Sequence, residues 1–191
     1  GADVISMSWG GGAPSATEQA VFTTAHNQGI VLVAAAGNDN TSDLMYPASY
    51  QYIISVGASD DGDLRADFSN FGDSIDVMAP GVQIWSTVAT NTSSYEFYDG
   101  TSMACPYVSG LAALMLSFDP TANPDRIEEC LETTADNIDA LNPGFEGQLG
   151  AGRVNAYQAV LCVPSEPLAA WNANFFGNAC AGQPIQFTDN S

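Results

Sequence analysis

The chain has 191 residues, 46% of them hydrophobic, which is enough for one domain with a real core and a short additional segment. Its 22 acidic residues stand against three arginines and no lysine, so the formal net charge is −19 at pH 7. So negative a surface repels nucleic acid and anionic membranes, and both are excluded as partners.

The first elements along the chain are predicted to form a strand–helix–strand unit. Residues 4–8 are typical of a short buried strand, residues 16–28 of a helix, and residues 30–36 of a second, apolar strand. Ser15 and Glu18 have the spacing of a capping box at the start of that helix. This order of elements crosses over with a right hand, which predicts an α/β fold.

The downstream pattern continues the alternation of strands and helices. Two more strands and two helices are predicted, at residues 52–57, 75–78, 102–118 and 124–135. Asn123 is placed to cap the fourth of these elements, and Pro124 suits its first helical position because no backbone N–H is needed there. Asp119 and Pro120 end the helix before it.

The segment 100–106, Gly-Thr-Ser-Met-Ala-Cys-Pro, places one serine at the start of an apolar helix. The first turn of a helix has free N–H groups and the positive end of the helix dipole. Ser102 would therefore lie beside donors that suit a developing oxyanion. Serine is also a common helix N-cap, and an isolated Gly-Thr-Ser would be interpreted as one.

Two earlier segments offer partners for this serine. The apolar run 31–36 leads into Gly37 and Asn38, and open α/β sheets place their sites on loops that leave the carboxyl ends of strands. The segment Ser8–Gly10 leaves the first strand with an open backbone edge. Taken alone, each segment would be interpreted as a turn beside glycine.

Four segments together resemble the subtilisin-like serine proteases, or subtilases: 4–12, 31–38, 68–81 and 100–106. The resemblance implies a three-layer α/β fold with a mostly parallel sheet. It implies that Ser102 attacks a peptide carbonyl to form an acyl-enzyme, which makes the protein a serine endopeptidase. The Asn38 side chain and the Ser102 N–H would then hold the oxyanion, with Thr101 supporting them.

The resemblance also implies a cleft for a polypeptide substrate. The segment Ser8–Gly10 would pair with the substrate backbone as an added β-strand. Trp9 stands where the family often has a smaller apolar side chain, and it would form the wall of a side-chain pocket. The implied substrate-binding residues are Ser8, Trp9, Gly10, Ala36, Gly37 and Thr101.

The implied chemistry requires no cofactor. Asp76, with backbone carbonyls near Ala48 and Tyr50, falls where some subtilases hold a weakly bound cation, and hard cations favour such oxygen ligands. In so acidic a chain the usual alternative is a solvated carboxylate. A structural calcium ion is therefore left open, and no metal ligand is assigned.

The catalytic base of such an enzyme is not evident in this sequence. The single histidine, His26, lies in the last turn of the first predicted helix, where the helix dipole favours a positive charge. It does not resemble the family's His-Gly-Thr motif, and no segment resembles its Asp-Thr-Gly motif. In the family both motifs precede the nucleophile. The chain is therefore expected to be a fragment that needs an N-terminal half carrying the triad aspartate and histidine, and to be inactive alone.

Two alternatives to a protease remain open. A non-catalytic pseudoprotease, or a binding scaffold of the same fold, would keep the same motifs without the triad partners. Another class of serine hydrolase would be expected to carry the Gly-x-Ser-x-Gly nucleophile elbow of the α/β-hydrolases, which this sequence lacks.

The expected organisation is a catalytic region, a linker and the start of a second domain. Residues 1–162 would be the C-terminal part of a subtilase catalytic domain, and residues 163–170 a linker. Residues 171–191 resemble the first strands of a PKD-type, immunoglobulin-like β-sandwich. Together with the acidic, lysine-free composition, these features favour a secreted bacterial protein.

The cysteines support an oxidising compartment. Residues 150–160 resemble the last helix of the subtilases. Cys130 and Cys162 lie on the last two helices of the catalytic region, and their bridging is hypothesised. Cys105 follows the candidate nucleophile on a helix expected to be buried, so it is expected to pack as a small apolar residue.

Overall fold

A parallel sheet positions the residues singled out above. In this computed structural model, which describes residues 1–89 and 93–163 and the backbone of 171–173 and 187–189, the sheet has four strands. In the order β1-β2-β3-β4 they are Val4–Met7, Val31–Ala35, Ile54–Ser59 and Val77–Pro80. Every residue of β2 and β3 is buried, as expected for parallel strands that are covered on both faces.

Four helices cover the two faces of this sheet within the described part of the chain. They are α1 (Ala16–Asn27), α2 (Thr101–Phe118), α3 (Pro124–Thr133) and α4 (Ala156–Cys162). Because side chains alternate along a strand, Val31, Val33 and Ala35 of β2 face one core with α2, α3 and α4. Leu32 and Ala34 face a second core, against which Phe22 of α1 packs. The predicted three-layer α/β fold is confirmed.

Helix α2 is the central buried helix. It packs against all four strands, with eight buried residues along its inward face. It is long and apolar enough to cross a membrane by length and composition, with a mean hydropathy of 1.3. Its packing against the sheet identifies it as a core helix. The helix begins at Thr101, one residue before the predicted start.

A two-stranded hairpin between β4 and α2 was not predicted. Its strands, β5 (Ile84–Thr87) and β6 (Tyr95–Tyr98), pair antiparallel. Trp85, Tyr95 and Phe97 are all at least half exposed, and the Trp85 ring contacts the other two at centroid distances of 5.8 and 4.6 Å. The alternating aromatic residues in Tyr-Glu-Phe-Tyr are the strand signal in the sequence that could have predicted it.

The predicted disulfide is confirmed. Cys130 of α3 and Cys162 of α4 are bonded, with their Cα atoms 5.7 Å apart. Cys105 is buried in α2 with a free thiol, as expected.

The C-terminal expectations are largely outside the described residues. Two three-residue strands, β7 (Trp171–Ala173) and β8 (Phe187–Asp189), pair antiparallel. The remaining parts of the expected linker and of the expected β-sandwich fall on residues 164–170, 174–186 and 190–191, which the structure does not describe. Both expectations stay predictions.

Candidate active site

Three chain segments converge at the carboxyl edge of the sheet. The segment Ser8–Gly10 follows β1, Gly37 and Asn38 follow the end of β2, and Thr101 and Ser102 begin α2. Because β1 and β2 are neighbouring parallel strands, their carboxyl ends meet at this edge. The segments line one cleft of about 230 Å³, together with Ala35, Asp39 and Met45.

Thr101 fixes the orientation of the Asn38 side chain. The side-chain oxygen of Asn38 accepts the backbone N–H of Thr101 at 2.8 Å and the Thr101 hydroxyl at 2.9 Å. A backbone N–H can only donate, so the Asn38 oxygen must face Thr101. The Asn38 amide nitrogen is thereby turned away from Thr101 as a donor.

The Asn38 amide nitrogen and the Ser102 backbone nitrogen both lie near the small volume beside Gly100. A Cβ atom built on Gly100 would lie 3.7 Å from Asn38 Nδ2 and 3.6 Å from the backbone nitrogen of Ser102. Gly100 has a φ of +152°, a backbone conformation that favours glycine, and it leaves this volume empty. Since Ser102 is the second residue of α2, its N–H has no partner within the helix. Two backbone or side-chain N–H donors therefore lie within 3.7 Å of one point beside Gly100.

The hydroxyl of Ser102 is held at the mouth of the cleft. It lies 3.4 Å from the backbone carbonyl of Ser8, to which it donates, and the Ser8 hydroxyl donates to the Ser102 carbonyl at 2.9 Å. These two contacts tie the end of β1 to the first turn of α2. The segment after β1 is thus held beside the candidate nucleophile.

The remaining residues predicted to bind substrate divide between cleft and core. Trp9 is 57% exposed, and it lines the cleft together with Gly10, Gly37 and Thr101. Ala36 does not line it: it is 3% exposed, belongs to a buried cluster with Ile75 and Met78, and both its backbone groups bond to other parts of the protein. The preceding residue, Ala35, lines the cleft instead, because neighbouring side chains of a strand point to opposite faces.

Two residues at this site were not predicted from the sequence. Met45 extends between two glycines that line the cleft: a Cβ on Gly10 would lie 3.1 Å from Met45 Cγ and Sδ, and one on Gly37 would lie 3.0 Å from Met45 Cε. Asn70 bonds to the backbone beside Asn38. It belongs to the segment 68–81, for which only a structural role was expected. A short polar residue near a glycine, here Asn70 two positions before Gly72, is typical of a turn. The sequence therefore gave no indication that Asn70 contacts the loop of Asn38.

His26 lies outside the cleft. Its ring is mostly buried, stacks on Tyr52 at a centroid distance of 4.2 Å, and places Nε2 2.9 Å from a carboxylate oxygen of Asp125. Its contacts join α1 to α3. The expectation that His26 has a structural role agrees with this position.

A cluster of three carboxylates lies on another part of the surface. Oxygens of Asp76, Glu128 and Glu132 lie within 4.8 Å of one another, beside a pocket lined by Ala48 and Tyr50. Burial raises the pKa of Asp76 to about 6, against a lowering effect of the Ser55 N–H that it accepts at 2.7 Å. Burial, and then the charge of Asp76, raise the pKa of Glu128 to about 7. The pair Glu128 and Glu132, one turn apart on α3, was the sequence signal that could have extended the cation site left open at Asp76.

Comparisons with known proteins agree on one family. The model of the subtilase family matches residues 1–152. A thermophilic serine proteinase from Bacillus sp. strain AK1 is 44% identical over 160 residues, which cover 84% of this chain and 38% of that protein. Subtilisin DY from Bacillus licheniformis is 42% identical over 163 residues, which cover 83% of this chain and 57% of that protein.

The fold comparison gives the same result. A protease from Pseudoalteromonas arctica superposes with a TM-score of 0.78 at 37% identity, over 85% of this chain and 51% of that one. This chain thus spans about half the length of the relatives it matches.

Proposed function

The chain belongs to the subtilase family, and from this premise we propose that the protein is a serine endopeptidase with Ser102 as its nucleophile. The observation that carries the proposal is that the Asn38 amide nitrogen and the Ser102 backbone nitrogen both lie within 3.7 Å of one point beside Gly100. A helix N-cap serine has no need of a side-chain amide donor beside it. An oxyanion requires such donors.

The proposed reaction follows from these positions. The Ser102 hydroxyl oxygen attacks the carbonyl carbon of a peptide bond while its proton passes to a general base. The carbonyl oxygen becomes an oxyanion that accepts hydrogen bonds from the Asn38 amide and the Ser102 N–H. The base returns the proton to the leaving amine as the peptide bond breaks. Water then hydrolyses the acyl-enzyme and frees Ser102.

The base is proposed to be a histidine outside these 191 residues. The only histidine in the sequence is His26, which is engaged by Tyr52 and Asp125 between α1 and α3. An aspartate that orients the base is proposed to lie outside these 191 residues as well. Residues 1–191 alone are therefore expected to show no useful peptidase activity.

A polypeptide is the proposed substrate. The segment Ser8–Gly10 continues from β1, lies beside Ser102 and lines the cleft, a position that suits pairing with a substrate strand. Met45 narrows the space between Gly10 and Gly37. We expect this side chain to favour small substrate residues next to the cleaved bond.

The proposed setting is the outside of a bacterial cell. The net charge of −19 and the Cys130–Cys162 disulfide suit an oxidising, salt-containing environment. A PKD-like domain after residue 170 belongs to the same proposal. No cofactor is required for the chemistry. Asp76, Glu128 and Glu132 supply oxygen donors of the kind that hold calcium, and an ion there would support structure only.

The test is covalent labelling of the full-length protein with a fluorophosphonate, combined with turnover of a peptide substrate. We expect labelling and turnover in the wild type and neither in Ser102→Ala. Ser117→Ala, an exposed serine near the other end of α2, is the matched control and should retain both. Peptide binding without labelling or turnover in the wild type would identify a pseudoprotease. Labelling that persists in Ser102→Ala would refute the assigned nucleophile.

A further inference from the structure

One buried side chain, Asn70, holds the backbone on both sides of Asn38. Its side-chain oxygen accepts the N–H of Asp39 at 2.9 Å, and its side-chain nitrogen donates to the carbonyl of Ala36 at 2.9 Å. Its own backbone N–H donates to the carbonyl of Gly37 at 3.0 Å. The residues before and after Asn38 are therefore fixed to a single asparagine.

The fit between Asn70 and this turn is close. Asn70 is 2% exposed, so water does not replace its hydrogen bonds if they are removed. Gly37 has a φ of +107°, and a Cβ atom on it would lie 2.4 Å from Asn70 Nδ2. The turn can take this shape only with glycine at position 37, and the Asn70 amide occupies the space that glycine leaves.

Asn70 is itself held in place by Arg65. The Arg65 guanidinium donates to the carbonyl of Ser69 and, at 2.9 Å, to the side-chain oxygen of Asn40. The same guanidinium lies over the Phe145 ring, 4.2 Å from its centroid. Arg65 thus joins the segment that carries Asn70 to the loop that carries Asn38, which leaves little freedom for one to shift against the other.

The side chain and the backbone of Asn38 are thus fixed by different residues. Thr101, at the start of α2, donates to the side-chain oxygen of Asn38. Asn70, in the loop before β4, bonds to the backbone of the residues near Asn38. Asn70 does not line the cleft. Any influence of Asn70 on a substrate must therefore pass through the loop of residues 36–39, which carries the Asn38 amide.

We propose that Asn70 is a positioning residue of the oxyanion hole, and that it acts on the reaction only by fixing the turn that presents Asn38. The proposal rests on the proposed peptidase function. The Asn38 amide meets its target only when the oxyanion forms, so a misplaced amide weakens the transition state and leaves substrate binding nearly unchanged. Loss of Asn70 should therefore lower kcat and preserve KM.

The experiment is a double-mutant cycle in the full-length protein. Asn70→Ala, Asn38→Ala and the double variant are compared with the wild type by steady-state kinetics on one peptide substrate. Loss of one oxyanion donor costs on the order of 10²–10³ in kcat, a range that comes from an asparagine of subtilisin itself. We expect Asn70→Ala to lower kcat by about 10- to 100-fold in the wild-type background. In the Asn38→Ala background the same change should have an effect of less than about threefold.

Two further variants separate positioning from folding. Asn70→Asp has nearly the same shape and keeps an acceptor for the Asp39 N–H, but it loses the donor to the Ala36 carbonyl. If Asn70→Ala does not fold, Asn70→Asp replaces it in the double-mutant cycle. Asn142→Ala is the matched control. Asn142 is also buried, accepts the Arg65 N–H and donates to two carbonyls, and it bonds to none of residues 36–41. It should lower the unfolding temperature and leave kcat within about twofold of the wild type.

The kinetic outcomes decide between positioning and a general structural role. A loss of kcat with unchanged KM that disappears in the Asn38→Ala background supports the proposal. An equal loss in the wild-type and Asn38→Ala backgrounds would show a general structural role and overturn the proposal. A loss of kcat in Asn142→Ala that is as large as in Asn70→Ala, and that persists in the Asn38→Ala background, would do the same. If Ser102→Ala retains activity, the proposed function fails first and the role of Asn70 with it.

Discussion

At the scale of single residues, Thr101 joins the parts of the candidate oxyanion hole. Its hydroxyl donates to the Asn38 oxygen at 2.9 Å and accepts the Gly37 N–H at 3.2 Å. Thr101 is fully buried, so water cannot take over either bond. The direction in which Asn38 donates therefore depends on one hydroxyl and one backbone N–H of the same residue.

We expect Thr101→Val to lower kcat of the full-length protein by about 10-fold with little change in KM. Valine keeps the shape and the backbone N–H but removes the hydroxyl, so the Asn38 amide loses one of two anchors. Thr101→Ser keeps the hydroxyl and should lose less than about threefold in kcat. Steady-state kinetics measure the effect, and equal losses in both variants would contradict this role of the hydroxyl.

Met45→Gly is expected to change substrate preference. Removing the side chain between Gly10 and Gly37 enlarges the space beside Ser102. The ratio of kcat/KM for a peptide with phenylalanine before the cleaved bond to that for one with alanine should rise by about 10-fold or more. Leu44→Ala, at an exposed neighbour that does not line this cleft, is the control and should leave the ratio unchanged. An unchanged ratio in Met45→Gly would show that Met45 does not select the substrate residue before the cleaved bond.

At the scale of elements, α3 combines two opposed requirements. Ile127, Cys130 and Leu131 bury one side of the helix in the main core. Glu128 and Glu132 are carried on the same helix into a partly buried position near Asp76. Burial of the apolar side therefore stabilises the helix. The three close carboxylates lower the stability of the folded state when all of them are ionised.

This conflict predicts a stability that rises as the pH falls. The pKa is raised to about 6 at Asp76 and about 7 at Glu128, whereas the unfolded chain has values near 4. Between about pH 4.5 and pH 7 the native state therefore binds more protons than the unfolded state, so the free energy of unfolding increases as protons are added. In the presence of a metal chelator, the urea concentration at the midpoint of unfolding of the full-length protein should be higher at pH 5.5 than at pH 8.

Glu128→Gln should reduce this pH dependence, because the amide cannot ionise. The variant should be more stable than the wild type at pH 8 and similar to it at pH 5.5. Glu129→Gln changes an exposed acid of the same helix and is the matched control. If both variants show the wild-type slope, the cluster is not the source of the pH dependence.

At the scale of the whole molecule, the many carboxylates have few arginine side chains to pair with. The three arginines are all engaged locally: Arg65 with backbone carbonyls and Asn40, Arg126 with Glu129, and Arg153 with Asp63 and Asp136. With 22 acidic residues in the chain, most carboxylates have no arginine to pair with. The folded state therefore carries a self-repulsion that depends on dissolved salt.

We expect the unfolding temperature of the full-length protein to rise with sodium chloride, and most of the rise to occur below about 0.2 M. The screening length falls from about 30 Å at 0.01 M to about 8 Å at 0.15 M, so charge repulsion is removed mainly in this range. Calorimetry across a salt series measures the effect. A rise that begins only near 1 M would indicate a general salting effect instead.

The sequence predicted much of this architecture and part of the site. The strands β1 to β4 and the helices α1 to α3 were predicted within about two residues of their observed bounds, because apolar runs and helix caps are local signals. Ser102, Asn38 and the segment Ser8–Gly10 were recognised from motifs. Asn70, Met45 and Glu128 were not, because their roles arise from contacts between segments that are distant along the chain.

The position of α2 has one consequence for how the proposed activity would be lost on heating. Because this helix contacts every strand of the central sheet, its internally hydrogen-bonded backbone amides should exchange with deuterium only when the whole domain opens. The residue that begins the helix would then keep its orientation up to the melting transition itself. Heat inactivation and global melting should coincide, with no earlier stage in which a folded protein has lost its nucleophile.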